Sequence, residues 1–351
     1  MLLSRLGQLV LCMTLVLVGS FAAAQATKTG YHFIQKITFE PDAGATREYF
    51  DYIFVDSAAR RVYLSHGVDV KVVDADSGKL VGSVAGFKQN HGIAVASEFG
   101  HGYVTDGAQG KVLIFDLKTL MVTGEAKAEK DADCVIYDPA TKRVFSMNGD
   151  AHNSTAIDAK TGNVVGTIDL GGQPEFAVAD GKGMIYINLE NTNEIVALDA
   201  SALTVKSRWP VAPAGGPTGI AMDTAHRRLF TAGRNPQMLV ILNADTGKAI
   251  QSFPITAGVD AVAFDPGTGM IFVSTREGMI HIFHEDGPDK FSAVDTITTE
   301  YGAKTLGLDA KTHKLFVDTA DFGPAAAPTT EQPNPRRSAI AGTFHVLVYG
   351  R

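Results

Sequence analysis

The stretch Asp133–Ile168, DCVIYDPATKRVFSMNGDAHNSTAIDAKTGNVVGTI, reads as four short strands in succession. Cys134–Tyr137 is short and apolar. Asp138-Pro139-Ala140-Thr141-Lys142 is a turn, in which proline presets φ and the aspartate can bond its own backbone. Arg143–Met147 is a second strand, Asn148–Asn153 a polar loop, and Ser154–Asp158 a third strand. Ala159–Gly162 is a turn whose glycine is free to take positive φ, and Val164–Ile168 is the fourth strand.

The pattern recurs along the chain. The Asp that ends the first strand returns as Asp56, Asp138, Asp180, Asp223, Asp265 and Asp309, at gaps of 82, 42, 43, 42 and 44 residues. The gap of 82 is two periods, and its missing unit is His91–Thr105, where Ala96 takes the Asp position. The second strand returns as RVYLS (61–65), GYVTD (102–106), RVFSM (143–147), MIYIN (184–188), RLFTA (228–232), MIFVS (270–274) and KLFVD (314–318). The third strand ends at Asp74, Asp116, Asp158, Asp199, Asn243 and His284. Seven units of four strands at a period of 40–45 residues predict an all-β, seven-bladed β-propeller with four antiparallel strands per blade. An open sandwich of short strands does not explain seven phased copies. The second-strand aromatics Tyr63, Phe145, Tyr186, Phe230, Phe272 and Phe316 share the period and are expected to pack between blades, as is Trp209.

The seventh unit supplies three strands, Thr305–Asp309, Lys314–Asp318 and Phe344–Tyr349. Tyr31–Phe39 is an orphan strand patterned like the fourth strands of other units. It is expected to complete blade seven, so that the two chain ends share one sheet and no open edge remains. Asp321–Gly342, rich in Pro and Ala, breaks the period between the second and third strands of that blade. It is expected to be an irregular loop, either a surface insertion or a lid over one mouth of the ring.

Residues 1–26 read as a signal peptide. Arg5 gives the positive end and Leu9–Val18 an apolar core too short to span a membrane, while Ala22-Ala23-Ala24 and Ala24-Gln25-Ala26 both fit a small-x-small cleavage site, with the cut after Ala26 favoured. Cys12 follows Leu11, which is too large for a lipid-attachment box. The expected domain is therefore 27–351, periplasmic or secreted, with no transmembrane segment after cleavage. Removing 1–26 takes away Arg5 alone and leaves 30 basic against 38 acidic residues, a formal charge of −8. Such a surface argues against binding a nucleic-acid backbone. Cys134 is then the lone cysteine, read as a small buried residue.

In a four-strand meander the turns between strands one and two and between strands three and four share one face. These turns are alike in most units, so they read as structure. The opposite face varies from blade to blade, and a specific site can be built there. Five residues before each recurrent Asp position stand Asp51, His91, Asp133, Glu175, Thr218, Asp260 and Lys304. Six are ionisable, and the seven are expected to converge at the channel mouth, where they could bind a cation or run acid/base chemistry. Water-filled channels are polar in any case. The loops between strands two and three add His66, Asp106, Asn148, His152, Asn191, Arg234 and Arg276. His66, His91 and His152 come from blades one to three, and a transition metal or haem could use such a set. His281 and His284 point to opposite faces of a strand and make no pair. No phosphate-binding glycine loop, nucleophile elbow or H-E-x-x-H motif is present.

Tyr103-Val104-Thr105-Asp106 is one residue from the tetrapeptide that names the YVTN repeat. With D-P-x-T-x-R-V-F, D-x-x-T-G-K and Pro174-Glu175-Phe176-Ala177-Val178, the chain over 31–351 resembles the secreted YncE-like propellers. The resemblance implies an exported seven-bladed protein. It also lies near propellers that hold haem d1, copper centres or quinoprotein partners, and near streptogramin-lyase propellers. The leading expectation is an exported binding or interaction protein whose small-molecule ligand or exported protein partner sits at the channel mouth. The alternatives are a metal-assisted lyase or hydrolase, with Glu175 or His91 as base and a cation held by Asp133 and Asp260, or a redox partner protein binding haem or copper.

Overall fold

The recurrent aspartates shape the turns. The Asp56 carboxylate accepts the backbone N–H groups of Ala58 and Ala59, at 3.1 and 2.8 Å. Asp138 does the same for Ala140 and Thr141, Asp223 for Ala225 and His226, and Asp309 for Lys311. These Asx turns hand the chain directly into the second strand. In blade two Ala96 cannot cap, and a short 3-10 turn, Ser97–Phe99, ending on the left-handed Gly100, takes over. A second set of caps, from Asp74, Asp116, Asp158, Asp199 and Asn243, closes the turn after strand three. Blade six lacks this cap. Its last two strands lengthen instead into the hairpin Met279–Gly287 and Lys290–Thr298.

The computed structural model describes residues 29–41, 48–330 and 335–351, so the expected signal peptide lies outside the described residues. Seven four-stranded antiparallel sheets follow one another around a ring. Blade one is Phe50–Asp56, Arg61–His66, Asp69–Asp74 and Leu80–Ala85. Blade three, the stretch first quoted, is Ala132–Asp138, Arg143–Asn148, Asn153–Asp158 and Val164–Asp169. Blade seven combines Leu306–Asp309, Lys314–Thr319 and His345–Gly350 with the N-terminal strand His32–Thr38, which runs antiparallel to His345–Gly350 from His32↔Gly350 to Thr38↔His345. The closure expected from the orphan strand is therefore observed.

The core is divided among the blade interfaces. Seven buried apolar clusters lie one between each neighbouring pair of blades. Tyr63, Tyr103, Phe145, Tyr186, Phe230, Phe272 and Phe316 are all essentially inaccessible and anchor these interfaces. Trp209 stacks on Tyr186 at 5.9 Å between ring centroids. Cys134 is free and buried in an inner strand. Among the described residues no helix is long and apolar enough to cross a membrane.

The closing strand buries Tyr31 and Ile37, worth roughly 2 kcal/mol each. Deleting residues 29–38 should lower the melting temperature by about 10 °C and expose the 345–350 edge to intermolecular pairing. An unchanged melting temperature together with a monomeric elution volume would show that the ring closes without it.

Candidate functional site at the ring mouth

Each inner strand of blades one to six carries one residue more than the strand it pairs with. The register jumps from Phe50↔His66 to Ile53↔Leu64, from Asn90↔Asp106 to Ile93↔Val104, and from Ala132↔Asn148 to Val135↔Ser146. The same one-residue excess recurs at Pro174/Ala177, Pro217/Ile220 and Val259/Ala261. The residues inside these bulges include Asp51, His91, Asp133, Glu175, Thr218 and Asp260. Lys304 lies just ahead of the shorter inner strand of blade seven. A bulge re-aims a side chain that a regular pleat would send into a sheet face. Gly92 lets blade three come close, because a Cβ there would lie 2.6 Å from the Asp133 carbonyl oxygen.

The ring residues form a connected network. Arg234 donates to Asp260 at 3.1 Å, pairs with Glu190, and lies 3.6 Å from Glu175. Thr218 donates to Glu175 at 3.2 Å. Lys304 bridges Asp260 and Asp51, the latter at 3.2 Å. His91 Nδ1 lies 2.8 Å from Asp51 Oδ2 and 3.3 Å from Asp133 Oδ1. Tyr49 Oη is 2.9 Å from the same nitrogen, and Tyr52 donates its hydroxyl to Asp133 at 3.1 Å.

Electrostatics split the carboxyls into two kinds. Burial pushes Asp51 up, but the Lys304 and His91 charges together outweigh it and hold Asp51 at about 2. Burial raises Asp133 to about 7, with the neighbouring Asp51 charge adding to the rise and His91 opposing it. Burial likewise drives Glu175 well above the usual glutamate range, although Arg234 pulls the other way. Burial lowers His91, yet its bond to Asp51 and the Asp133 and Asp51 charges leave it raised. The mouth thus holds an ionised acid, a histidine held above its ordinary pKa and a carboxyl that titrates near neutrality side by side. Such divergence is what acid/base chemistry requires.

A stitch two residues after the second-strand aromatic ties several blades to the next. Thr105 donates to the Asp133 carbonyl, Asn188 to the Thr218 carbonyl at 2.8 Å, and Ser274 to the Lys304 carbonyl. Ser65 donates to the Asn90 carbonyl at 3.2 Å. The equivalent residue of blade seven is Asp318, fully buried, with neither carboxyl oxygen paired to a donor. Burial raises its pKa well above the usual range, with Lys304 opposing. A neutral carboxyl carries one O–H, so Asp318 in its protonated form presents a donor at the position where Ser, Thr and Asn donate elsewhere.

Directly below the ring the channel is plugged. The rings of Tyr52 and Phe176, one residue after Asp51 and Glu175, lie 4.5 Å apart between centroids. Further along the inner strands, on the turn face, lies a separate apolar cavity of about 600 Å³, lined among others by Phe54, Ile93, Val135, Tyr137 and Ala177. The face read from sequence as purely structural therefore holds the larger cavity. It carries few polar groups, whereas the ionisable ring lies at the other end.

The remaining predicted residues fall elsewhere. His66 is buried against Glu48 and Phe344, and His152 is exposed on its loop. His66, His91 and His152 do not assemble; His91 groups instead with Asp51 and Asp133, whose potential ligand atoms lie within 4.8 Å of one another. Asp260, engaged by Lys304, Arg234 and Thr305, does not join Asp133 in a cation site. Asp106 and Asn148 serve local turns and strands. Asn191 accepts the Gln173 N–H at 2.8 Å. Sequence reasoning missed Tyr49, Tyr52, Glu190 and Asp318. Tyr52 and Phe176 were detectable as bulky residues at a repeat position that is glycine in His91-Gly92 and Thr218-Gly219.

The long loop folds back over this same face. Phe322 pairs with Ala339, Gly323 donates to the Ser338 carbonyl, and the Gly342 N–H donates to Glu48 at 2.6 Å. Phe322 meets Tyr301 edge-on at 5.1 Å and sits where any Cβ on Gly302 would collide with its ring. Between loop and ring lies a cavity of about 400 Å³ bordered by Tyr49, Arg276, Lys304, Arg336 and Arg337.

No protein-family model matches this chain, and no curated protein matches it in sequence. Among solved structures, hydrazine synthase of Kuenenia stuttgartiensis superposes with a TM-score of 0.67. The match covers 86% of this chain and 99% of that one at 13% identity. That likeness is one of fold, and with the seven sheets described above it defines the chain as a seven-bladed β-propeller.

Two outcomes are expected from the buried acids. A raised carboxyl stabilises the fold below its ordinary pKa, about 3.9 for aspartate, and that stability is lost as pH rises through the folded value, about 7 for Asp133. His91, also raised, acts with the same sign. The urea midpoint should fall between about pH 4 and 7, and Asp133→Asn should flatten that fall; equal slopes in both proteins would contradict the assignment. Asp318→Asn, which keeps a donor, should match the parent at pH 5 and exceed it at pH 8 by about 1 kcal/mol. A loss of stability at both pH values would mean that position 318 needs the carboxyl itself.

Proposed function

We propose that this chain is an exported, periplasmic or secreted binding propeller of the YVTN, YncE-like kind, and that its ligand sits on the ring mouth. The observation that carries the proposal is the continuous network from Glu175 through Arg234, Asp260, Lys304, Asp51 and His91 to Asp133. Burying that many charges is costly. Nothing in the propeller repeat requires it, because blade interfaces are held by apolar clusters and uncharged stitches. A loop anchored above the mouth, with a cavity beneath it, adds the concave setting that binding sites share. The export half of the proposal rests on residues 1–26 and is tested by fractionation and by an N-terminus beginning at Thr27.

Immobilised protein should retain a small molecule from envelope extract, detected by mass spectrometry. Asp133→Asn combined with Glu175→Gln should abolish retention, whereas Ala179→Phe, which fills the apolar cavity of the turn face, should not. The opposite pattern would move the site to the turn face.

A second reading is favoured by one observation, the convergence of Asp51, His91 and Asp133. One histidine nitrogen and two carboxylates suit a divalent transition metal, and such a centre would turn the mouth into a metal-assisted lyase or hydrolase site. Because the ligands must lose protons, zinc retained after dialysis should be stoichiometric at pH 8, reduced at pH 6, and absent from His91→Gln. Zinc retention unaffected by His91→Gln would exclude this centre.

A further inference from the structure

We infer that the cavity beneath the 321–342 loop binds a small polyanion, a di- or tricarboxylate or a phosphate ester, and that this group anchors the ligand whose remainder lies over Asp51, His91 and Asp133. The inference rests on the ring-mouth reading and gives its ligand a chemical class.

The argument is one of charge balance. At the ring, each cation has its counterion: Lys304 has Asp260 and Asp51, and Arg234 has Glu190, Glu175 and Asp260. One step outward this balance fails. Among the described residues neither Arg276 nor Arg336 has an ion-pair partner, and Arg337 lies over the Tyr301 ring at 4.7 Å. The three guanidinium-bearing residues and Lys304 border the same cavity of about 400 Å³. Arg276 is half-buried, and burial together with the Arg336 charge lowers its pKa, so the two cations repel each other across the pocket. Glu48 is the acid on this wall, but its carboxylate is already taken by His66 and by the Gly342 and Thr343 N–H groups. Guanidinium groups bind carboxylate and phosphate oxygens in bidentate fashion, and a volume of this size admits a molecule of metabolite dimensions. The anchoring of Phe322 against Tyr301 and Gly302 fixes the base of the loop that carries Arg336 and Arg337. Tyr49 connects the two parts, bordering the cavity while its hydroxyl touches His91.

The test is calorimetric titration of the purified protein with inorganic phosphate and with citrate at low ionic strength. At least one anion should bind saturably with 1:1 stoichiometry, and its Kd should weaken about tenfold or more in Arg276→Gln and in Arg336→Gln. The preferred anion distinguishes phosphate from carboxylate chemistry. Arg336 is exposed on the loop, so its replacement does not threaten folding, and Arg276→Gln removes a cation that has no partner to lose. Absence of binding by either anion, or equal binding by parent and both variants, overturns the inference. The capture experiment with the Asp133→Asn/Glu175→Gln variant reads the ring separately: ring-dependent capture with no anion binding would sink the polyanion alone.

Discussion

One extra residue at the start of the inner strand in blades one to six governs the mouth of this propeller. In a regular pleat, successive side chains alternate between the two sheet faces, and residues 51, 91, 133, 175, 218 and 260 would be absorbed into blade interfaces. The bulge releases them toward the axis, and it also frees backbone groups that the sheet no longer pairs. In blades three and five those groups are collected by the stitch residues of the preceding blade, Thr105 on the Asp133 carbonyl and Asn188 on the Thr218 carbonyl. The geometry of the polar ring and the mechanical coupling between blades therefore have one origin, so a substitution at the stitch acts on both.

Once six ionisable residues are pointed at one axis, their charges must be reconciled. The molecule does this unevenly. On the side of blades five, six, seven and one, Arg234, Asp260, Lys304 and Asp51 alternate in sign and pair with one another. On the side of blades three and four, Asp133 and Glu175 face the Tyr52–Phe176 plug and have too few cations, so burial drives them toward the neutral form. His91 sits at the boundary. This asymmetry gives the ring a direction, with fixed charge on one arc and exchangeable protons on the other. A symmetric propeller repeat does not contain such a direction.

Much of the architecture was legible because it repeats. Turn caps at Asp56, Asp138 and Asp223, the buried aromatics, and closure by residues 32–38 each depend on local chemistry that recurs at a fixed period, and recurrence separates signal from chance. The ring positions were also legible, since a constant offset from the capping Asp identifies them without knowledge of the bulge. What could not be read is whatever depends on distance across the axis. His66, His91 and His152 occupy comparable loops, yet His66 is drawn outward by Glu48 and Phe344, and His152 points to solvent. The pairing of Asp260 with Lys304, which removes it from any site with Asp133, depends on which blade adjoins which. Asp318 reads in sequence as one more strand residue, and only its complete burial, with neither carboxyl oxygen paired, sets it apart.

The 321–342 insertion interrupts the one blade whose sheet is shared by both chain ends. Its base is held by Glu48, which precedes the first inner strand, by Tyr301 and Gly302, which precede the last, and by its own short ladder at Phe322–Ala339. Anything that shifts this loop therefore acts on the closure of the ring as well as on the cavity beneath it. The loop brings Arg336 and Arg337 to the fixed-charge arc, beside Lys304 and Arg276, and away from the arc of Asp133 and Glu175. The two arcs thus differ in chemistry: one carries fixed charge, and the other carries carboxyls that burial raises. His91, linked to Asp51 on one side and Asp133 on the other, physically joins the two arcs.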